Sequence, residues 1–169
     1  FGCGLLLFVT VSSQFRSSAV TPPLPPLPQD AFIQAYFNHS QAAAYTDPYR
    51  QIARTGDDLE ARIIAAVESA QTSIDLAVHE FTLPNIALAL SQRQAAGVKI
   101  RVIVENTYNT PIAQRSLNGI AALDRRDRAK AEALFTFVDM NRDGRLSAEE
   151  IAQRDALSIL NQAGIPIID

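Results

Sequence analysis

Twelve residues late in the chain, Asp139-Met-Asn-Arg-Asp-Gly-Arg-Leu-Ser-Ala-Glu-Glu150, constrain the fold more than any other stretch. Asp139, Asn141 and Asp143, at positions 1, 3 and 5, set three hard oxygen donors on one side of a loop. Gly144 at position 6 permits a sharp turn, and Arg145 at position 7 contributes only its backbone carbonyl. Ser147 at position 9 can act through a water, and Glu150 at position 12 can close the set with both carboxylate oxygens. This is the spacing of an EF-hand calcium loop. Magnesium is the alternative ion for the same donors, and a surface turn rich in Asp, Asn and Gly is the alternative that binds nothing.

Such a loop demands a helix on either side, and the flanks supply both. Ala131, Leu134, Phe135, Phe137 and Val138 form an apolar helical face in a segment that starts near Arg125. Apolar Leu146, at position 8, is placed to anchor the loop to a core. After the loop, Ser147 and Glu150 form an S-x-x-E capping box, so the last ligand doubles as a helix start signal. Ile151, Ala156, Leu157, Ile159 and Leu160 continue an apolar pattern that predicts one helix running until Gly164. The helix–loop–helix unit is expected over residues 126–162.

The rest of the chain bounds the answer more loosely. Its 169 residues can hold one domain with a core, and a net charge of −3 favours neither a nucleic-acid binder nor a strongly membrane-attracted surface. The arginines are scattered and form no basic stripe. A single cysteine, Cys3, excludes an internal disulfide and a cysteine-based zinc site. Residues Gly2 to Val11 form an apolar run of the length of a signal-peptide core, too short to span a bilayer, followed by small residues at Ser12-Ser13 and Ser17-Ser18-Ala19. Residues 1–20 therefore read as part of an export signal, which predicts an exported protein (periplasmic, secreted or envelope-associated); a buried strand is the alternative. Residues 21–30 hold the run Thr21-Pro-Pro-Leu-Pro-Pro-Leu-Pro28, expected to be an extended polyproline spacer.

From Ala31 onward the pattern alternates between strand and helix. Ala31 to Phe37 reads as a strand, and Gln41 to Thr55 as irregular and turn-rich. A helix with an acidic start follows Asp57, its apolar face formed by Leu59, Ile63, Ile64 and Val67. Strands are predicted at Ser73–Val78, Lys99–Val104 and Ile165–Asp169. Pro84 opens a second helix that Gly97 stops, and helical segments fill Ala113 to Leu123. The order predicts an α/β fold: a mostly parallel sheet covered by helices, with the helix–loop–helix unit in the crossover before the last strand.

Catalytic candidates are few. His39 and His79 are the only histidines, each just past a predicted strand, where open α/β sheets bind ligands. A hydrogen-bonded structural imidazole is the plainer account of each. No zinc-type H-E-x-x-H spacing, no G-x-S-x-G elbow and no phosphate-cradling glycine loop occurs. These residues alone specify no catalytic site.

A set of ordered segments nevertheless resembles a known family. Tyr36-Phe-Asn-His-Ser-Gln41, Tyr45-Thr-Asp-Pro-Tyr-Arg50, Gly56-Asp-Asp-Leu-Glu60, Ser73-Ile-Asp-Leu-Ala-Val78, Leu83-Pro-Asn-Ile-Ala87 and Gly97-Val-Lys-Ile-Arg-Val-Ile-Val-Glu-Asn106 resemble the N-terminal half-domain of the phospholipase D superfamily. More narrowly they are similar to exported bacterial members, of cyanobacterial type, that carry an EF-hand insertion. Ala163-Gly-Ile-Pro-Ile-Ile-Asp169 is similar to the strand leading into that family's first catalytic motif. The likeness spans residues 31–169. It implies a phosphodiesterase that works through a phosphohistidine, on phospholipid in preference to nucleic acid, with a second half-domain from the same or a partner chain. It also implies an accessory role for calcium. The family's catalytic H-x-K-x(4)-D motif is absent from these 169 residues, so the resemblance assigns no catalytic residue here. A fragment of such an enzyme, inactive alone, is the expectation. A non-catalytic calcium-binding module on an α/β scaffold and a secreted nuclease of the same superfamily are the alternatives.

Overall fold

A computed structural model describes residues 24–26 and 28–168. The expected export signal, residues 1–20, lies outside the described residues, as do Thr21 to Pro23 and Leu27 of the proline-rich run. Two compact units divide the chain at Leu59.

In the first unit the strand expected over Ala31–Phe37 does not form. Side chains there satisfy the backbone instead: the Asp30 carboxylate accepts the amides of Phe32 (2.7 Å) and Ile33 (3.1 Å), and the Gln29 side chain accepts the amide of Ala35 (2.9 Å). Phe32 is 95% exposed and Ile33 76% exposed, so burial does not hold these apolar residues in a strand. Short-range capping has won over β propensity. The segment expected to be irregular holds a small hairpin, β1 (Ala44–Thr46) antiparallel to β2 (Ala53–Thr55). Gly56 closes it at φ +109°, where a Cβ would lie 2.1 Å from the Asn38 carbonyl oxygen. Only glycine fits there.

The second unit is mixed α/β. Helix α1 (Leu59–Ser69) leads to β3 (Ser73–Val78), α2 (Pro84–Ala95) and β4 (Lys99–Val104). Two 3₁₀ turns, Asn106–Tyr108 and Ile112–Gln114, precede α3 (Leu117–Ala121), α4 (Arg125–Val138), α5 (Ala148–Arg154), α6 (Ala156–Gln162) and β5 (Ile167–Ile168). The three strands form a parallel sheet in the order β3-β4-β5, with Ser73 to Val78 in register with Lys99 to Val104. Alternation along β4 sends Ile100, Val102 and Val104 into the core and leaves Lys99, Arg101 and Ile103 exposed. Leu90 of α2 and Leu160 of α6 complete that core, both fully buried. Helices thus pack on one face. Across the other, Arg101 pairs with Asp75 at 2.7 Å.

Two sequence expectations need correction in this unit, the apolar face of α1 and the helix after the loop. Within the expected face of α1, Val67 is buried while Leu59 and Ile63 are exposed. The helical segments expected over Ala113 to Leu123 are present, as a 3₁₀ turn and the short α3. The single helix expected from the capping box to Gly164 is two helices, broken at Asp155 (ψ 95°), whose side chain caps α6 by accepting the amide and hydroxyl of Ser158. Asp155 is 2% exposed and also accepts the amide of Ala113 at 3.1 Å. A buried carboxylate with three donors outweighs continuity of the apolar pattern.

Candidate metal centre

The twelve residues from Asp139 to Glu150 connect α4 to α5 and lie between β4 and β5 in the chain. Both helices begin on a side-chain cap. Asp124 accepts the amides of Arg126 and Asp127 at the start of α4, which holds its carboxyl below the usual range. Ser147 and Glu150 form the reciprocal capping box at the start of α5. Leu146 packs against Ile112, Ile120, Ala131 and Val138, a small apolar cluster that fixes one side of the loop.

Inside the loop the acidic side chains turn toward the loop's own amides. Asp139, 6% exposed, accepts the amides of Asp143 at 3.1 Å and Gly144 at 2.9 Å. Asn141 accepts Asp143 N–H at 2.9 Å, and Asp143 accepts Arg145 N–H at 2.8 Å. Glu150, 4% exposed, reaches back across the loop. Its Oε1 accepts the amides of Met140 (2.8 Å) and Asn141 (3.2 Å), and its Oε2 accepts the amide (2.9 Å) and hydroxyl (2.8 Å) of Ser147. Hydrogen bonds from Ser147, Asn141 and Met140 hold its carboxyl below the ordinary glutamate value of 4.5. Gly144 has φ +78° and Arg142 φ +60°, so the loop passes through the left-handed region twice.

The donor chemistry of this loop fits a hard divalent cation. Asp139, Asn141, Asp143 and Glu150 offer only side-chain oxygens, and Arg145 would add its carbonyl. Placement is a separate matter: among the described residues, no three His, Cys, Asp or Glu side chains are grouped to hold an ion. The reason is visible in the hydrogen bonds. Four carboxylate oxygens of Asp139 and Glu150 are engaged by loop amides and by Ser147, so an ion would have to replace some of those donors.

The histidines lie elsewhere. His39 sits exposed in a turn of the first unit, lining a shallow depression with Tyr45, Asp47 and Arg54. Asp47 there is engaged by the amides of Tyr49 and Arg50 and by Arg54. His79 follows β3, 65% exposed, and meets the Tyr108 ring edge-on at 4.9 Å. Its Nε2 is 3.8 Å from Glu80, beyond hydrogen-bonding distance. Glu80 instead forms an ion pair with Lys130 of α4. Lys130 also stands 4.5 Å above the Tyr108 ring and 3.2 Å from its hydroxyl, which in turn donates to Asp127 at 3.0 Å. Glu80 and Tyr108 together raise the Lys130 ammonium above its ordinary value.

Sequence reasoning missed this tie between a strand end and α4, because it joins residues 50 positions apart. Asp155 could have been found: an Asp three residues before Ser158, inside an apolar run, is a cap signal. Comparison with protein-family models, curated proteins and solved structures returns no match for the chain.

Proposed function

We propose that residues 139–150 are an EF-hand calcium site, and that it is an accessory site on an exported phosphodiesterase resembling the phospholipase D superfamily. One observation carries the calcium reading. The first and last acidic residues of the twelve, Asp139 and Glu150, are both buried, at the end of one helix and the start of the next. A surface turn that binds nothing has no need to bury two carboxylates 11 positions apart. Asp139, Asn141, Asp143, the Arg145 carbonyl and Glu150 would hold the ion, with Ser147 acting through water. The ion supplies positive charge and a cross-link between α4 and α5; it takes no part in bond breaking.

Support for the enzyme reading is the ordered set of segments together with the β3-α2-β4 unit and its parallel pairing. The site chemistry of these residues sets its limit. Among the described residues neither histidine is hydrogen-bonded to a base, and no H-x-K occurs in the sequence, so the nucleophilic histidine and the phosphate-neutralising lysine would come from sequence outside these 169 residues. The exposed placement of both histidines favours a second reading, a non-catalytic calcium-binding module on an α/β scaffold. Assay of this chain, beside a longer form carrying H-x-K-x(4)-D motifs, on phosphatidylcholine and on a DNA diester separates the two. Turnover by the longer form alone supports the enzyme reading, and turnover by neither leaves the calcium module.

A further inference from the structure

A cleft of about 660 Å³, counting its open mouth, lies at the carboxyl ends of β3 and β4, within the second unit. It opens at the strand ends, where open α/β sheets place ligands. Phe81, Ile112, Leu134 and Leu157 give it an apolar lining, and Phe81, Ile112 and Leu157 are themselves buried. Helices on both sides of the 139–150 loop contribute: α4 through Asp127, Lys130 and Leu134, and the α5–α6 junction through Asp155.

The charges around the cleft are not equivalent. Glu80 is paired with Lys130, Asp127 accepts the Tyr108 hydroxyl, and Asp155 is buried under its three donors. Arg115 differs. Among the described residues its guanidinium donates one hydrogen bond, to the Thr107 carbonyl at 2.9 Å, and has no carboxylate partner. Its guanidinium therefore keeps donors for a ligand, beside an apolar surface.

We infer that the cleft binds a small amphipathic anion, its charged head on Arg115 and its short alkyl chain over Phe81, Ile112 and Leu134. The lining holds three carboxylates and two cations, so the preference for an anion is local to Arg115 and weakens with added salt. Binding of hexanoate, hexanol and hexylammonium to the full chain, followed by chemical-shift changes in the presence of chelator, tests this without reference to the cation loop. Hexanoate should bind tightest. Arg115→Gln should lower its affinity about tenfold, to that of hexanol, and Arg115→Lys should restore part of the loss. Ala131→Leu, which adds bulk to the wall on α4, should weaken all three probes. Equal affinity for the three, tighter binding of hexylammonium, or an unchanged hexanoate affinity in a folded Arg115→Gln protein would overturn the assignment.

Discussion

Residues 30–57 and residues 139–150 are both turn-rich stretches in which acidic side chains accept backbone amides, yet they differ in what surrounds those acids. Asp30, Asp47 and Asp57 serve amides of the first stretch, while Phe32, Ile33 and Phe37 beside them remain exposed. Asp139 and Glu150 do the same work buried between two helices, over an apolar cluster that includes Val138 and Leu146. Carboxylate-to-amide bonds alone therefore make a turn. Enclosure by flanking helices is what converts the turn into a candidate ion site.

The two glycines should separate the regions most sharply. Gly56→Ala places a methyl 2.1 Å from a backbone oxygen, so the hairpin cannot keep its geometry. We expect a loss of about 3 kcal/mol or more in the protection of the Gly56 and Asp57 amides against hydrogen exchange. Gly144→Ala meets nothing within 4 Å, and its cost is the left-handed backbone alone, about 1 kcal/mol. Equal losses at the two positions would contradict the comparison.

Apolar truncation comes next. Val138, fully buried beside the loop, should cost about 2 kcal/mol when changed to Ala, whereas Phe32→Ala should stay within about 0.5 kcal/mol in chemical denaturation. Asp155→Ala leaves the Ala113 amide and the Ser158 hydroxyl without their acceptor, with an expected cost of about 2 kcal/mol.

Legibility in the sequence followed the range of the interactions. Helix α4, the capping box at Ser147 and Glu150, and strands β3 and β4 could be read because spacing, caps and alternation are local. The expected strand over Ala31–Phe37 had the right residue types but no partner strand among the described residues, and pairing is not a local property. The break at Asp155 was hidden by the apolar residues on both sides of it. The tie of Lys130 to Glu80 and Tyr108, and with it the cleft, depends on how α4 meets the ends of the sheet, which no periodicity encodes. The loop's candidate ligands were legible residue by residue; their engagement with loop amides was not.

The smallest expected effect is on pH. The Glu150 carboxyl is held below its ordinary 4.5, so the ionised form is the one the fold favours. Its contribution to stability is complete above that ordinary value and fades as pH falls through the lowered one. The Met140, Asn141 and Ser147 amides should lose exchange protection below about pH 4.5, and a Glu150→Gln protein should show a weaker dependence over the same range.

Calorimetric titration of calcium into the wild-type chain, Glu150→Gln and Asp47→Asn tests the central claim most directly. One ion should bind the wild type with a dissociation constant of about 10⁻⁴ to 10⁻³ M, modest because Arg142 and Arg145 flank the acids and loop hydrogen bonds must be exchanged. Glu150→Gln should weaken that binding at least about tenfold, and Asp47→Asn should leave it unchanged. Equal heats in wild type and Glu150→Gln, or none in either, would contradict the site.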